Sequence, residues 1–222
     1  PCAFMNTFHP NTVYSSIDRN GRYSFDNQPK ILKWNLSRFA ETLLPIIYDD
    51  KDEAIKLAQT VIDGFDEIWR KSYYNMMLKK IGINKNEKAL YSLVDELLDL
   101  MKNLKIDYTN TFWNLSQEVL PENKQFNSPE FKSWLNKWNN IIEEIDGIEQ
   151  AKSLMKKYNP VVIPRNHLVE QVIEEAVNGN TNPYQKFLSV LSNPYQYKEE
   201  LKEFMLPPSK NFENSYKTYC GT

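Results

Sequence analysis

The chain has 222 residues, of which 41% are hydrophobic and 13% are aromatic. This composition predicts a folded protein with a sizeable core and excludes an intrinsically disordered chain. The 27 basic and 29 acidic residues give a formal net charge of −2, so overall charge does not favour nucleic acid or an anionic membrane as a partner. No apolar run approaches the roughly 20 residues that a membrane-spanning helix needs.

The two cysteines, Cys2 and Cys220, lie at opposite ends of the chain and are too few for a secreted, disulfide-built scaffold. We therefore expect a cytoplasmic protein. The two histidines, His9 and His167, stand alone and lack the Cys/His spacing of a zinc site.

The chain opens without helical or strand periodicity, and we predict a loop over 1–28. Asp26 or Asn27 is suited to cap the helix that follows, whose first turn contains Pro29. Pro45 is expected to end or kink this helix, because its ring clashes with the carbonyl four residues earlier. The helix carries one apolar face, of the kind that faces a core, formed by Leu32, Leu36, Phe39, Ala40 and Leu43.

A longer helix is predicted next. Asp50 and Glu53 resemble a capping pair at its start, and the helix runs to about Lys80 before Gly82 closes it. Its inward residues are expected to be Ala54, Ala58, Val61, Phe65, Ile68 and Trp69. Asn86 is predicted to cap the following helix, in which apolar residues recur at helical spacing.

Further helices are predicted from Asp107, from Ser128, and over 148–158, 165–178 and 182–191. The helix from Ser128 carries an aromatic stripe, for which core packing is favoured over base stacking because few basic residues accompany it. No convincing strand is found. The sequence therefore predicts a mainly α, multi-helix bundle over 29–208, followed by an extended tail over 209–222.

Arg165 opens one of these helices, where a cation is unfavourable unless an acidic partner compensates it. We therefore expect a buried or half-buried pairing of Arg165. This pairing would tie the carboxyl-terminal helices to the rest of the chain.

Arg22 is the first candidate for a functional contact. Only five of the 27 basic residues are arginines, and Arg19, Arg22 and Arg38 are three of them. Arginine binds carboxylate and phosphate through a planar fork, whereas lysine mostly increases solubility. The structural alternative is that Arg22 pairs with Asp18 or Asp26 and simply fixes the loop.

Asp26 and Asn27 are further candidates. With Asp18 they offer the oxygen ligands that Mg²⁺ prefers, but their spacing matches no metal-binding loop, and helix capping is the favoured alternative to shaping a groove for a target protein. No nucleophile with a neighbouring base and no phosphate-binding glycine loop is found. We therefore predict neither catalytic residues nor a metal site in this chain.

Several motifs resemble the selenoprotein O family, in the family's order and across the whole chain. The longest is Gly-Arg-Tyr-Ser-Phe-Asp-Asn-Gln-Pro at 21–29. The others are Pro1–Met5, Trp34–Leu36, Asp107–Thr109 with Phe112, Asn159–Pro160, Arg165–Asn166, Pro194–Tyr195, Pro207–Pro208 and Cys220.

This resemblance implies a protein kinase-like fold that transfers AMP from ATP to Ser, Thr or Tyr hydroxyls of protein substrates. It also implies that the catalytic residues and the sites for ATP and Mg²⁺ (or Mn²⁺) lie upstream, before an Asp-Tyr-Gly triplet that Pro1 directly follows. We expect this chain to be the carboxyl-terminal helical fragment of such an enzyme, with 1–28 in the place of an activation segment. The fragment alone is expected to be inactive and without a cofactor, and no nucleic acid or membrane is expected as a partner. A freestanding helical interaction module without catalysis is the alternative.

In the family, the position of Cys220 is a selenocysteine or cysteine, and some members pair it with a cysteine in the opening loop. Tyr14 occupies that partner's usual place in this chain, although Cys2 lies a few residues earlier. A bridge between Cys2 and Cys220 and two free thiols are both left open. The family also commonly has acids where this chain has Asn6 and His9, so no role that needs a carboxylate is expected there.

Overall fold

The computed structural model describes residues 3–219 of the chain. It is mainly helical, and the only β-bridge among those residues is an isolated antiparallel pair between Thr7 and Asp107. The predicted mainly α, multi-helix bundle is thereby confirmed. None of the helices in 3–219 combines the length and the hydrophobicity that crossing a bilayer requires.

The α-helices within residues 3–219 are, in chain order, α1 (Gln28–Ile47), α2 (Lys51–Asp63), α3 (Phe65–Lys80), α4 (Tyr91–Leu104), α5 (Tyr108–Leu115), α6 (Pro129–Ile145), α7 (Ile148–Tyr158), α8 (Asn166–Val177), α9 (Asn182–Leu191), α10 (Lys202–Met205) and α11 (Lys210–Ser215). Short 3-10 helices occur at Phe25–Asn27, Lys88–Leu90 and Glu199–Leu201.

The main hydrophobic core is built from α3 to α7 and also takes in Met5 and Phe8 from the start of the chain. The aromatic stripe of α6 lies inside it, as predicted. The indole N–H of Trp134 donates to the carbonyl of Leu93 at 2.9 Å, and that of Trp138 to the carbonyl of Ile81 at 2.8 Å. Because both indole N–H groups are hydrogen-bonded inside the protein, the two rings are part of the core and are not available to stack on bases.

A second, smaller core joins α8, α9 and α10 to α5. Its buried members are Trp113, Val161, Val162, Phe187, Leu201 and Phe204. The neighbouring residue Phe112 is fully buried in the main core. The two sides of α5 therefore connect the two cores.

Two predicted helix boundaries are wrong, and α1 does not end at Pro45. The long helix from Asp50 is divided at Gly64, a residue of low helix propensity, so that α2 and α3 are separate. Helix α1 continues through Pro45, which lies only two residues before its end, where few hydrogen bonds are lost. Asn86 does not cap α4, because the 3-10 turn Lys88–Leu90 comes first and the Asn86 amide bonds the Lys71 carbonyl instead.

The extended tail predicted for 209–222 is wrong in part, because it contains α11. The hydroxyl of Ser209 accepts a hydrogen bond from the Phe212 N–H and caps this helix. Six residues are too few to show helical periodicity in the sequence.

Three of the five residues in the apolar face predicted for α1 are exposed, although the sequence pattern favours a core position for all five; Ala40 and Leu43 are partly buried. Leu32, Leu36 and Phe39 are all exposed, and none of the 20 residues of α1 is buried. Helix α1 packs mainly on α2. The partly buried residues of α1 form the neighbouring stripe, which includes Lys33, Ser37, Ala40, Leu44 and Ile47.

Gly82 ends α3 as predicted, in the left-handed conformation with φ of +83°. A Cβ at this position would lie 2.8 Å from the Cβ of Ala151 and 2.9 Å from its carbonyl oxygen. Gly179, after α8, has a similar φ of +86°, but a Cβ there would meet nothing within 4 Å. An alanine at either position would therefore strain the backbone, but only an alanine at position 82 would also overlap with a neighbouring residue.

We expect Gly179→Ala to lower the free energy of unfolding by about 1 to 2 kcal/mol, the cost of a left-handed non-glycine residue. Gly82→Ala should lower it by about 1 to 3 kcal/mol more, because α3 and α7 must move apart. Urea denaturation of both variants measures the difference. Equal losses for the two variants would contradict the close packing of Gly82 on Ala151.

Candidate functional site

The opening segment, residues 3–27, is fixed at its start by the buried guanidinium of Arg165, which is 1% exposed. Its Nη1 donates to Asp107 Oδ2 at 2.7 Å and its Nη2 to Asp107 Oδ1 at 3.2 Å. Nη1 also donates to Asn6 Oδ1 at 2.6 Å, and Nη2 to Asn110 Oδ1 at 3.1 Å. The predicted buried pairing of Arg165 is confirmed, and its acidic partner is Asp107.

Asp107 connects three parts of the chain at once. It caps α5, because its Oδ1 accepts a hydrogen bond from the Asn110 N–H at 2.8 Å. The backbone beside it pairs with the opening segment, through Tyr108 N–H to the Asn6 carbonyl at 2.7 Å and Phe8 N–H to the Ile106 carbonyl at 2.9 Å. Its carboxylate also compensates the positive charge of Arg165 at the amino end of α8.

A second contact holds the opening segment on α8. The Phe4 N–H donates to Asn166 Oδ1 at 3.1 Å, and Asn166 Nδ2 donates to the Phe4 carbonyl at 3.4 Å. The first two residues of the α8 region, Arg165 and Asn166, therefore both bind the opening segment. These two neighbouring residues thus form one anchor for a segment that lies more than 150 residues earlier in the sequence.

The turn that carries Arg22 is stabilised by the Asp18 carboxylate, which accepts hydrogen bonds from the backbone N–H groups of Arg22 and Tyr23, both at 2.8 Å. The Arg22 guanidinium lies 4.7 Å from the centre of the Trp34 ring on α1. Within residues 3–219 it forms no ion pair with Asp18 or Asp26, so that alternative is wrong for the side chain. Asp18 bonds the backbone, and a cation–π contact with Trp34 orients the exposed guanidinium.

The predicted side-chain caps of α1 are also wrong. Asn27 stands at the cap position, but its φ of −90° and ψ of −9° are helical, whereas a capping residue is usually extended. Its amide donates instead to the Arg22 carbonyl at 2.6 Å. Asp26 belongs to the preceding 3-10 helix and its carboxylate is exposed. Both residues therefore shape the turn and the start of α1 without capping it.

The tail returns to the opening segment. The Ser16 N–H donates to the Thr218 carbonyl at 2.7 Å, and the Thr218 hydroxyl donates to the Tyr14 carbonyl at 2.7 Å. Burial raises the pKa of Tyr14 to about 12, so its phenol is neutral at physiological pH. Cys2 and Cys220 lie outside the described residues, and their pairing stays a prediction.

Helix α11 also contacts α8. The ring of Phe212 packs edge-on against His167 with centroids 5.9 Å apart, and the Tyr216 hydroxyl donates to Glu170 Oε1 at 2.8 Å. Burial, together with the nearby Arg165 charge, lowers the pKa of His167. Since an ordinary histidine already titrates below pH 7, His167 is neutral under physiological conditions.

A cleft of about 930 Å³ lies between the opening segment, α1, α3 and α4. Its aromatic lining includes Phe25, Trp69 and Tyr73, with Trp69 and Tyr73 stacked at 4.9 Å. Burial raises the pKa of Tyr73, while burial and a hydrogen bond to Asp95 raise that of Tyr74 to about 12. The charged side chains that line the cleft are of both signs: Asp26, Asp66, Asp95, Asp99, Lys30, Arg70 and Lys102.

Across residues 3–219, no group of three or more His, Cys, Asp or Glu side chains is arranged to hold a metal ion. The candidate site consists of the opening segment with its Arg165 anchor, the exposed Arg22 and the adjoining cleft. Such an arrangement can position a chain segment and contact another molecule.

Of the predicted site residues, the structure brings Asn27 to Arg22, whose carbonyl accepts a hydrogen bond from the Asn27 amide. The sequence did not identify Trp34 as the aromatic partner of Arg22 or Asp107 as the partner of Arg165. The sequence held a signal for Asp107, because it is an acid at a helix start. Nothing in the sequence indicates that Arg165 pairs with an acid 58 residues earlier.

We expect Arg165→Met to lower the free energy of unfolding by about 3 to 5 kcal/mol, because it leaves the Asp107 carboxylate without its buried partner. Adding Asp107→Asn should recover part of this loss, since asparagine also caps helices. The control is Lys186→Met, which breaks an exposed ion pair with Glu203 and should cost less than about 1 kcal/mol. Equal losses for the Arg165 and Lys186 variants, by urea denaturation, would contradict a stabilising anchor.

Comparison with known proteins supports the resemblance seen in the motifs. The family model described as Protein adenylyltransferase SelO matches residues 1–192. The chain is similar to the protein nucleotidyltransferases YdiU of Bacillus cereus (strain AH820), with 43% identity, Bacillus thuringiensis (strain Al Hakam), with 42%, and Bacillus anthracis (strain CDC 684 / NRRL 3495), with 43%. Each match covers all of this chain but only 46% of the relative, so the chain spans less than half the length of these relatives. On these grounds, the chain belongs to the protein adenylyltransferase SelO family.

Proposed function

We propose that this chain is the carboxyl-terminal helical part of a protein adenylyltransferase that transfers AMP from ATP to Ser, Thr or Tyr hydroxyls of target proteins. The observation that carries the proposal is the family match over residues 1–192. That match includes the opening segment and the residues that anchor it, Asn6, Asp107, Asn110 and Arg165.

In this reaction the hydroxyl oxygen of the target forms a bond to the α-phosphorus of ATP. The bond from that phosphorus to the bridging oxygen of the β-phosphate breaks, pyrophosphate leaves, and the hydroxyl proton passes to a base. Catalysis of this kind depends mainly on positioning and on neutralising phosphate charge with Mg²⁺ or Mn²⁺.

We place the catalytic residues and the sites for ATP and metal upstream, in the part of the longer protein that this chain does not span. Two observations support a placement outside this chain. The relatives are more than twice as long as this chain, which matches 46% of their length. Residues 3–219 hold no cluster of metal-binding side chains. The chain alone is accordingly proposed to be inactive and to bind no cofactor of its own.

The role proposed for this chain is to hold the segment at 1–28 in the position of a kinase-like activation segment and to control access of the target hydroxyl. The Arg165 anchor and the Thr218 contact fix this segment from two sides. Arg22 is exposed at its far end, where it can contact a target protein. We place the enzyme in the cytoplasm, with protein substrates as its partners.

The first test measures which part of ATP the longer protein transfers to its targets. With ATP labelled at the α-phosphate, we expect transfer of label to protein, whereas ATP labelled at the γ-phosphate should give none. The 222-residue chain alone, under the same conditions, should transfer neither label. Transfer of the γ-label would show a phosphoryl transferase instead, and labelling by the chain alone would contradict the upstream placement of catalysis.

A second test concerns Arg22 in the longer enzyme. Its cation–π contact is exposed, so Arg22→Ala should lower the free energy of unfolding by less than about 1 kcal/mol. If the guanidinium binds the target, kcat/KM for AMP transfer should fall about tenfold or more, since a hydrogen bond to a charged group is worth about 1.5 to 3 kcal/mol.

The control for this test is Trp34→Leu, which removes the aromatic partner and keeps the guanidinium. It should leave most of the transfer activity. If Trp34→Leu lowers kcat/KM as much as Arg22→Ala does, Arg22 only fixes the turn and contacts no target.

A further inference from the structure

Helix α1 presents an apolar face to solvent along most of its length. Leu36 is 36% exposed, Phe39 is 60% exposed and Ile46 is 80% exposed. With Leu32 and the partly buried Leu43 they recur at intervals of three and four residues, which places all five on one side of the helix. We call these five residues the α1 apolar face.

An amphipathic helix of 20 residues normally buries such a face, because most helical stability in proteins comes from tertiary packing. In this chain no residue of α1 is buried, and its main contact, α2, buries only Ala54. Helix α2 exposes further apolar side chains, namely Ile55, Leu57 and Val61. Exposed apolar surface of this extent on a folded protein marks an interaction site.

The α1 apolar face continues into the large cleft. Leu32, at its amino end, lines the cleft together with Phe25 and Trp69. The charged residues of the cleft are of both signs, and two of the acids are already bonded, Asp66 to Lys33 and Asp95 to the Tyr74 hydroxyl. Apolar contact and shape, more than net charge, therefore determine what fits this surface.

The length of the relatives indicates what covers the α1 apolar face. More than half of their chain has no counterpart in these 222 residues, since the match covers 46% of them. That remaining part must pack on something if the longer protein is to fold as one unit. A face whose side chains are this apolar suits a permanent contact within one chain better than a transient contact with a target, because permanent interfaces are the more hydrophobic class.

We infer that the α1 apolar face and the adjoining cleft are the surface on which the remaining part of the longer enzyme docks. This inference rests on the proposed function only in taking the chain to be part of a longer protein. The docking part presents an apolar surface to Leu36, Phe39 and Ile46. In the longer protein these side chains are buried.

Hydroxyl-radical footprinting of the unaltered longer protein tests this directly, because it reports side-chain exposure without a substitution. After correction for intrinsic reactivity, Phe39 and Ile46 should be oxidised at least about tenfold more slowly than Val177 on α8, which is 81% exposed. Oxidation of Phe39 and Ile46 at the rate of Val177 would overturn the inference.

Two additional conditions separate the other possible occupants. Protection that is lost on dilution would assign the face to a second copy of the protein, and protection that requires an added target would assign it to that target. Either result overturns the inference. AMP transfer is measured on the same sample: protection without transfer contradicts the proposed function alone, and transfer without protection contradicts this inference alone.

A matched pair of substitutions in the longer protein gives an independent measurement. Ile46 and Val177 are 80% and 81% exposed in this chain, so Ile46→Glu and Val177→Glu should have equal effects if both faces are free. If the α1 face is docked, Ile46→Glu places a charge in an apolar interface and should lower Tm by about 5 °C or more. Val177→Glu should change Tm by less than about 1 °C. Equal shifts would overturn the inference.

Discussion

The buried pair of Arg165 and Asp107 is the interaction on which the arrangement of the opening segment depends. A buried guanidinium needs bonded donors, and the two η-nitrogens of Arg165 make four hydrogen bonds, to Asp107, Asn6 and Asn110. Its Nε has no hydrogen-bond partner among residues 3–219. These four contacts join the opening segment, the start of α5 and the start of α8. Since α5 also contributes Phe112 to one core and Trp113 to the other, the ion pair and the two cores meet at the same helix.

The segment that follows the anchor is organised differently, by exposed and individually weak contacts. Asp18 bonds two backbone N–H groups, Asn27 bonds a carbonyl, and Arg22 lies against Trp34. Contacts of this kind set the shape of a turn without adding much stability. The opening segment is thus firmly held near its start and more weakly held around Arg22. This arrangement suits a segment proposed to control access of a protein substrate.

Much of the fold could be predicted from the sequence, because most helices carry strong apolar periodicity and clear boundary residues such as Gly82 and Gly179. The errors have physical causes. Periodicity does not register the break at Gly64, since a glycine of helical φ and ψ disturbs the pattern little. Capping rules favour Asp26 or Asn27 as the cap of α1 because they assume an extended backbone, whereas a 3-10 turn precedes this helix.

The candidate site was less predictable, since its contacts join residues far apart in sequence. The sequence predicted that Arg165 needs an acidic partner, and electrostatics alone justified that prediction. Choosing Asp107 among 29 acidic residues required the tertiary structure. The apolar pattern of α1 is typical of a helix that packs on a core. Its exposure in this chain therefore indicates a surface that another part of the protein covers.

If the buried pair of Arg165 and Asp107 holds the opening segment, breaking the pair should loosen that segment and leave the main core intact. Hydrogen exchange measured by mass spectrometry, comparing the longer protein with its Arg165→Met variant, distinguishes the two regions. We expect amides of residues 3–16 to exchange at least about tenfold faster in the variant, while amides of α4 and α6 in the main core keep most of their protection. Unchanged protection of residues 3–16 would contradict this, because the segment would then be held without the ion pair.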